Sequence, residues 1–281
     1  MRVNVNNPVL VKEVKLRFRS LKSFTGILFY LIAMSIFVFG FIFLNTSLTG
    51  TGFFRPEQSF LLFGMLTFIQ LGLILFITPG LTAGTISTER EKQTLNILLT
   101  TSQSSMQIIL GKLSSSIAFL VLMLVAGLPV YSLVFLFGGI SPGQLGLIFL
   151  FFFLTMITVG SIGVMFSTIT RKTIVSMIAT YGTMIFLAGV TAFFFLITIQ
   201  VNMMGSGVNT SPAPFAHFWA SINPGILIFT LLNPTTDNFV NEMTQIDFPV
   251  WAGFTIFYVL VTATAITISI KKLRVNMKRS K

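Results

Sequence analysis

Apolar residues are gathered along this chain into six long runs, approximately Phe24–Leu44, Phe60–Ile86, Gln107–Phe137, Gln144–Thr168, Ile174–Gln200 and Pro249–Ile270, joined by polar connections. At about 1.5 Å per helical residue, each can cross a hydrocarbon core of about 30 Å. No acidic residue interrupts any run, and Lys112, near the start of the third, is the only basic residue within them. The pattern predicts an all-α integral membrane protein with six transmembrane helices. Pro79-Gly80 and Gly127-Leu128-Pro129 are expected kinks. Ala179, Gly182, Ala188, Gly189 and Ala192 give the fifth run a small-residue face suited to close approach by another subunit.

The connections alternate sharply in charge. Arg2, Lys12, Lys15, Arg17, Arg19 and Lys22 precede the first run, Arg90, Lys92 and Lys112 lie around the second loop, Arg171 and Lys172 separate the fourth and fifth runs, and Lys271, Lys272, Arg274, Lys278, Arg279 and Lys281 follow the sixth. Of 18 Lys and Arg residues, only Arg55 falls on the opposite side. The positive-inside rule therefore puts both termini in the cytoplasm. The net charge of +11 is read as juxtamembrane anchoring to anionic lipid headgroups and not as nucleic-acid binding. With 54% hydrophobic and 9% charged residues, a soluble domain of this length is excluded. There is no cysteine, so no disulfide or thiolate metal site. The first run is expected to remain as an uncleaved anchor, being too long for a signal-peptide core and lacking a small-residue cleavage site.

These boundaries give a cytoplasmic arm (1–23) and a six-span domain (24–281) with a cytoplasmic loop (87–106), a large external loop (201–248) and a basic tail (271–281). In the arm, Pro8 suits a first helical position after Asn7, and Val11, Val14, Phe18 and Leu21 recur at helical spacing among cations. An amphipathic helix in the membrane interface is expected. In the loop, TISTEREKQTLNILLTT predicts a short helix over about 87–101: Thr88 and Glu91 fit a capping box, and Leu95, Leu98 and Leu99 form a stripe. A helix so short needs a surface to bury that stripe, either the bilayer or a groove on a soluble partner. In the external loop, Ile226–Leu232 would span only about 11 Å and should dip into the outer leaflet and return, bounded by Pro224-Gly225 and Asn233-Pro234.

The stretch Pro79–Thr101, with T-E-R-E-K-x-T-L-x-x-L-L-T, resembles the coupling-helix region of type-2 permeases of the ATP-binding cassette (ABC) transporters, and NPVLVKEVKLRFRSLKSF resembles the N-terminal interfacial helix of bacterial members. The resemblance covers essentially the whole chain. It implies that Glu89, Arg90, Glu91, Thr94, Leu95 and Leu98 dock into a cleft on a separate ATPase, with Glu13 and Arg17 on the connecting helix nearby. It further implies two permeases, identical or related, with two ATPases that bind ATP and Mg, and an outer gate at Pro224, Gly225, Asn233 and Pro234.

No cofactor is expected on the chain itself. It has no phosphate-binding G-x-x-x-x-G-K-[ST] loop: Gly111-Lys112 is followed by Leu113, and position 106 is Met. No ionisable group lies deep in a run, as a gradient-driven carrier would require. His217, beside Phe218 and Trp219, reads as a packing residue. Gly160-Ser161-Ile162-Gly163 lacks an intramembrane His or Asp partner and reads as a helix-packing site, while Asp237, Glu242 and Asp247 have no metal-ligand spacing. The function expected is an ATP-driven exporter subunit for a hydrophobic or amphipathic solute. The alternatives are an ATP-independent carrier or channel and, third, an intramembrane enzyme.

Overall fold

The computed structural model describes residues 8–19, 21–49, 56–95, 103–136, 141–206, 212–232 and 236–278, and these residues contain helices and turns with no strand. The amphipathic arm forms α1 (Pro8–Phe18) and the first span α2 (Leu21–Thr49). Span two is α3 (Pro56–Thr82), which keeps Pro79 inside the helix and leads into the five-residue α4 (Ser87–Glu91). Span three is broken at Gly127 into α5 (Ser105–Ala126) and α6 (Leu128–Leu136). Span four is α7 (Pro142–Ile169). Span five comprises α8 (Thr173–Ile185), a π-helical turn Phe186–Val190 and α9 (Thr191–Ser206). Two short helices, α10 (Pro214–Ile222) and α11 (Pro224–Leu232), meet at 90°, and α12 (Thr236–Thr244) follows before span six, α13 (Val250–Lys278).

Six helical segments are long and apolar enough to cross a membrane, so the chain is a multi-pass membrane protein. Span four is the hub: α7 packs against α3, α5, α8 and α13. Its small residues make this possible. A Cβ at Gly163 would lie 2.2 Å from the Thr82 hydroxyl and 3.3 Å from the Ala83 amide, and one at Gly160 would lie 3.0 Å from Leu113. The G-S-I-G run is therefore the seam where spans two, three and four approach. Span one is peripheral, with Phe29 74% exposed and Phe43 69% exposed, as a lipid-facing helix should be.

Two expectations change, and the break expected at Gly127 has a packing reason. The arm does not rest on lipid alone: α1 packs along α5, with Phe18 edge-on to Phe119 at 6.5 Å, while Leu21 is 83% exposed and begins the first span. The break in span three is matched by a notch, because a Cβ at Gly127 would lie 2.4 Å from the Tyr30 hydroxyl, which donates to Gln70 at 2.5 Å. The external dip consists of two helices, not one. The apolar segment Ile226–Leu232 belongs to α11, and Pro214 opens a preceding helix whose His217, Ala220 and Ser221 are buried.

Candidate functional site

The polar side chains of the loop after span two converge at the basic end of the molecule. The chain leaves α3 through a turn at Ala83–Ile86 that is held to span four. The Ser167 hydroxyl accepts the backbone N–H groups of Ile86 and Ser87, both at 2.9 Å. Those donors at the start of α4 would otherwise be unpaired in a buried position, so Ser167 of span four replaces a cap that the loop itself does not provide. The expected Thr88–Glu91 capping box does not form. Ile86 is the N-cap, with no side-chain cap bond, and the Thr88 hydroxyl lies 3.2 Å from that of Thr173. A capping box does form one element later, between Ser104 and Gln107 at the start of α5.

Each charge of Glu89-Arg90-Glu91 turns to a different element of the chain. Glu89 accepts from the Lys112 ammonium at 2.6 Å, and the same ammonium reaches Glu13 of the arm at 2.9 Å. Lys112 is 5% exposed, the two carboxylates 26% and 32%, and these are the ion pairs found among the described residues. A buried ammonium needs opposite charge and acceptors nearby, and two elements supply one carboxylate each. Arg90 donates to the carbonyls of Thr170 and, at 3.0 Å, Thr168, so a fixed cation meets the carbonyl end of α7. Glu91 accepts from the Thr173 N–H at 2.8 Å and the Thr173 hydroxyl at 2.9 Å, placing an anion at the start of α8.

The helix then stops. Gln93 has φ of 58°, in the left-handed region, and the Thr94 N–H returns to the Glu89 carbonyl at 2.9 Å. The expected single helix over 87–101 is therefore interrupted after Glu91; Leu95 is again helical, and residues 96–101 lie outside the described residues. Leu95, the first residue of the predicted stripe, is 7% exposed and packs with Ile86, Ile108, Ile109, Leu113, Val164 and Leu273 of the protein's own core. Leu98 and Leu99 lie outside the described residues. Arg17 falls within α1, and its side chain lies outside the described set. Lys112 was missed as a site residue; a lone lysine inside an apolar run is the signal that pointed to it.

On the opposite side, Asn223 sits at the 90° bend between α10 and α11. Its amide donates to the Ala188 carbonyl at 2.8 Å and the Thr191 hydroxyl at 2.7 Å, and its Oδ1 accepts the Ile226 N–H at 2.9 Å. A π-helical turn shifts carbonyls out of the α-helical ladder, and Asn223 reaches that turn in span five. Gln144, at the start of α7, donates to the Leu231 and Leu232 carbonyls at 3.0 and 2.8 Å and so caps α11. Pro224 is buried at the start of α11, and a Cβ at Gly225 would lie 3.1 Å from the Asn223 oxygen. Asn233 and Pro234 lie outside the described residues. His217 is buried, with Nδ1 3.1 Å from the Thr244 hydroxyl. Among the described residues, no group of three or more His, Cys, Asp or Glu side chains is arranged to hold a metal.

The geometry is that of a helix-connecting elbow tied to several spans at one end and a bent re-entrant pair at the other. A search of curated proteins finds no match. A family model described as ABC-2 family transporter protein matches residues 12–271, from within the arm to the end of the sixth span. The chain thus belongs to the ABC-2 transporter family, as a membrane transport subunit of an ABC system that associates with an ABC ATPase and is not itself that ATPase.

Proposed function

We propose that this chain is half of the translocation pathway of an ATP-driven exporter in the cell membrane, with both termini cytoplasmic. It pairs with a second permease, identical or related, and with two ATPase subunits that bind ATP and Mg. The elbow is the coupling element, acting through Glu89, Arg90, Glu91, Thr94 and Leu95, together with Glu13 and Arg17 of the arm. The α10–α11 bend, with Pro224, Gly225, Asn233 and Pro234, forms the outer gate.

The observation that carries this reading is the way the elbow is bonded. Glu89 joins it to span three and, through Lys112, to the arm; Arg90 and Ser167 join it to span four; Glu91 joins it to span five. A displacement imposed on so short a rigid element is transmitted to the arm and four spans together, which is what a coupling element must do. The solute is hydrophobic or amphipathic. The described spans present Ser, Thr, Asn and Gln polarity, and their one buried charge, Lys112, is neutralised at the basic end.

Purification of the tagged protein from native membranes in mild detergent should bring down a stoichiometric ABC ATPase with measurable ATP hydrolysis. In proteoliposomes, that activity should respond to apolar amphiphiles and not to inorganic ions. A clean preparation without an ATPase, repeated after crosslinking, would sink the exporter reading and favour an ATP-independent carrier.

A further inference from the structure

Span five is anchored as two halves by different parts of the protein. The half nearer the basic end, α8, is tied to the elbow through Thr173, which bonds Glu91. It is also tied to span two through the Tyr181 hydroxyl, which donates to the Phe76 carbonyl at 2.9 Å. The other half, α9, packs against α10 of the re-entrant pair, with Phe194 stacked on Trp219 at 5.0 Å. The π turn Phe186–Val190 lies between the two. There the Thr191 N–H reaches back five residues to the Phe186 carbonyl, so the turn holds one residue more than an α-helix needs.

The extra residue leaves carbonyls off the helical ladder, and the Asn223 side chain meets them. Its amide donates to the Ala188 carbonyl at 2.8 Å and the Thr191 hydroxyl at 2.7 Å, and lies 3.4 Å from the Leu187 carbonyl. Thr191 in turn donates to Leu187 at 2.6 Å. Asn223 and Thr191 are both buried, so no water stands ready to replace either partner. Asn223 also stands at the 90° bend, where its Oδ1 accepts the Ile226 N–H. A cleft of about 260 Å³ opens beside this contact, with Ala188, Ala192, Gly225 and Phe229 in its lining, so the bend and span five are not packed solid against each other.

We propose that this turn is a two-register joint latched by Asn223, and that it regulates the outer gate. With the bend seated, the Asn223 amide holds the carbonyls out and keeps the extra residue in the turn. When the bend lifts, the donor leaves, the carbonyls return to the α-helical ladder, and the extra residue passes into α9. The residues it passes turn by about 100° and advance by about 1.5 Å, which changes the face that α9 offers to α10. A π turn and an α turn are discrete arrangements of one segment, as energetic coupling between two anchored halves requires. This rests on the reading of the α10–α11 bend as the outer gate and adds the element of span five that controls it.

The test begins with the full chain alone in detergent, read by hydrogen–deuterium exchange. Asn223→Ser removes the amide but keeps an oxygen at the N-cap position for the Ile226 N–H. Exchange across residues 214–232 should rise by about fivefold or more, the effect of one buried hydrogen bond. Deletion of Gly189 or of Val190 takes the extra residue out of the turn and leaves both flanking halves in register. In that background the serine variant should raise exchange by about twofold or less, because the carbonyls already lie in the ladder. An equal rise in both backgrounds overturns the latch. So does failure of both deletions to give a folded chain, since the extra residue is then not confined to the turn. With the co-purifying ATPase present, ATP and Mg should change exchange across α9 by about twofold or more in the unaltered complex. At equal ATPase recovery, the deletion variant should show no such change. A deletion variant that keeps this response, or an unaltered complex without it, overturns the joint. If no ATPase co-purifies, the exporter reading falls, and the serine comparison still decides the latch by itself.

Discussion

Replacement of Lys112 by Met should destabilise the basic end of the protein, and the size of the loss follows from its two bonds. The ammonium is 5% exposed and lies 2.6 Å from Glu89 and 2.9 Å from Glu13. A hydrogen bond involving a charged group contributes about 1.5–3 kcal/mol. Glu13 is about a third exposed, so water partly compensates it and its contribution falls toward the lower figure or below, whereas Glu89 Oε2 is buried with no hydrogen-bond partner and its bond to Lys112 keeps the fuller value. Met fills much of the space of the lysine stem, so little cavity is created. The net loss is then about 2–4 kcal/mol, equivalent for a protein of this size to a fall of roughly 5–10 °C in melting temperature. Heating the detergent-solubilised protein and measuring the surviving monodisperse fraction by size exclusion would read it. Two further variants separate the ion pairs from simple packing. E13Q and E89Q share one partner and should be non-additive by about 0.5 kcal/mol or more. The triple variant E13Q/E89Q/K112M should recover most of the loss, because a buried ion cluster and a matched uncharged set are often nearly equal in stability. A melting temperature unchanged by K112M, or strict additivity of E13Q and E89Q, would refute the assignment of Lys112 as the joint between arm and elbow.

Three other outcomes follow from the same geometry. Gly163→Ala should destabilise by about 1–3 kcal/mol, since its Cβ would meet Thr82 and the Ala83 backbone, whereas Gly72→Ala, with nothing within 4 Å, should be close to neutral; thermal melting of the pair checks this. Asn223→Leu should leave the Ala188 carbonyl and Thr191 hydroxyl without their side-chain donor, at about 1–3 kcal/mol, and should raise hydrogen–deuterium exchange across residues 214–232 more than across α7. Arg90→Lys should fail to substitute, because a single ammonium cannot reproduce the planar fork that serves the Thr168 and Thr170 carbonyls; a loss of about 1–2 kcal/mol is expected, and a melting temperature equal to that of the unaltered protein would show that the fork is dispensable.

The spans were legible in the sequence because a bilayer imposes a length and an apolar composition that few soluble segments meet together. Even the break at Gly127 and the packing seam at Gly160–Gly163 were visible as residue types with few other uses in a helix. The less visible features depend on partners distant in sequence. Nothing in PFAHFWASI alone distinguishes a buried re-entrant helix from an interfacial one. The deciding contacts come from elsewhere: Thr244 on His217, and the Tyr258 hydroxyl on the Ile222 carbonyl at 3.3 Å. The π turn at Phe186–Val190 left no local signature, since the residue that reaches it, Asn223, lies more than thirty positions away.

The elbow shows the same limit more sharply, and it alters what a charged motif can be taken to mean. T-E-R-E reads as a capping box because Thr and Glu stand three residues apart, and a cap is the local way to satisfy free N–H groups. Ser167 satisfies those groups from another helix, which releases Thr88 and Glu91 to face Thr173. Lys112 likewise decides the direction of Glu89: an ammonium buried at the start of span three must draw carboxylates inward, whatever the loop would otherwise present to a partner. Glu89, Arg90 and Glu91 are thus engaged by spans three, four and five, so a substitution at any of them disturbs a joint within the chain as well as any contact with a partner.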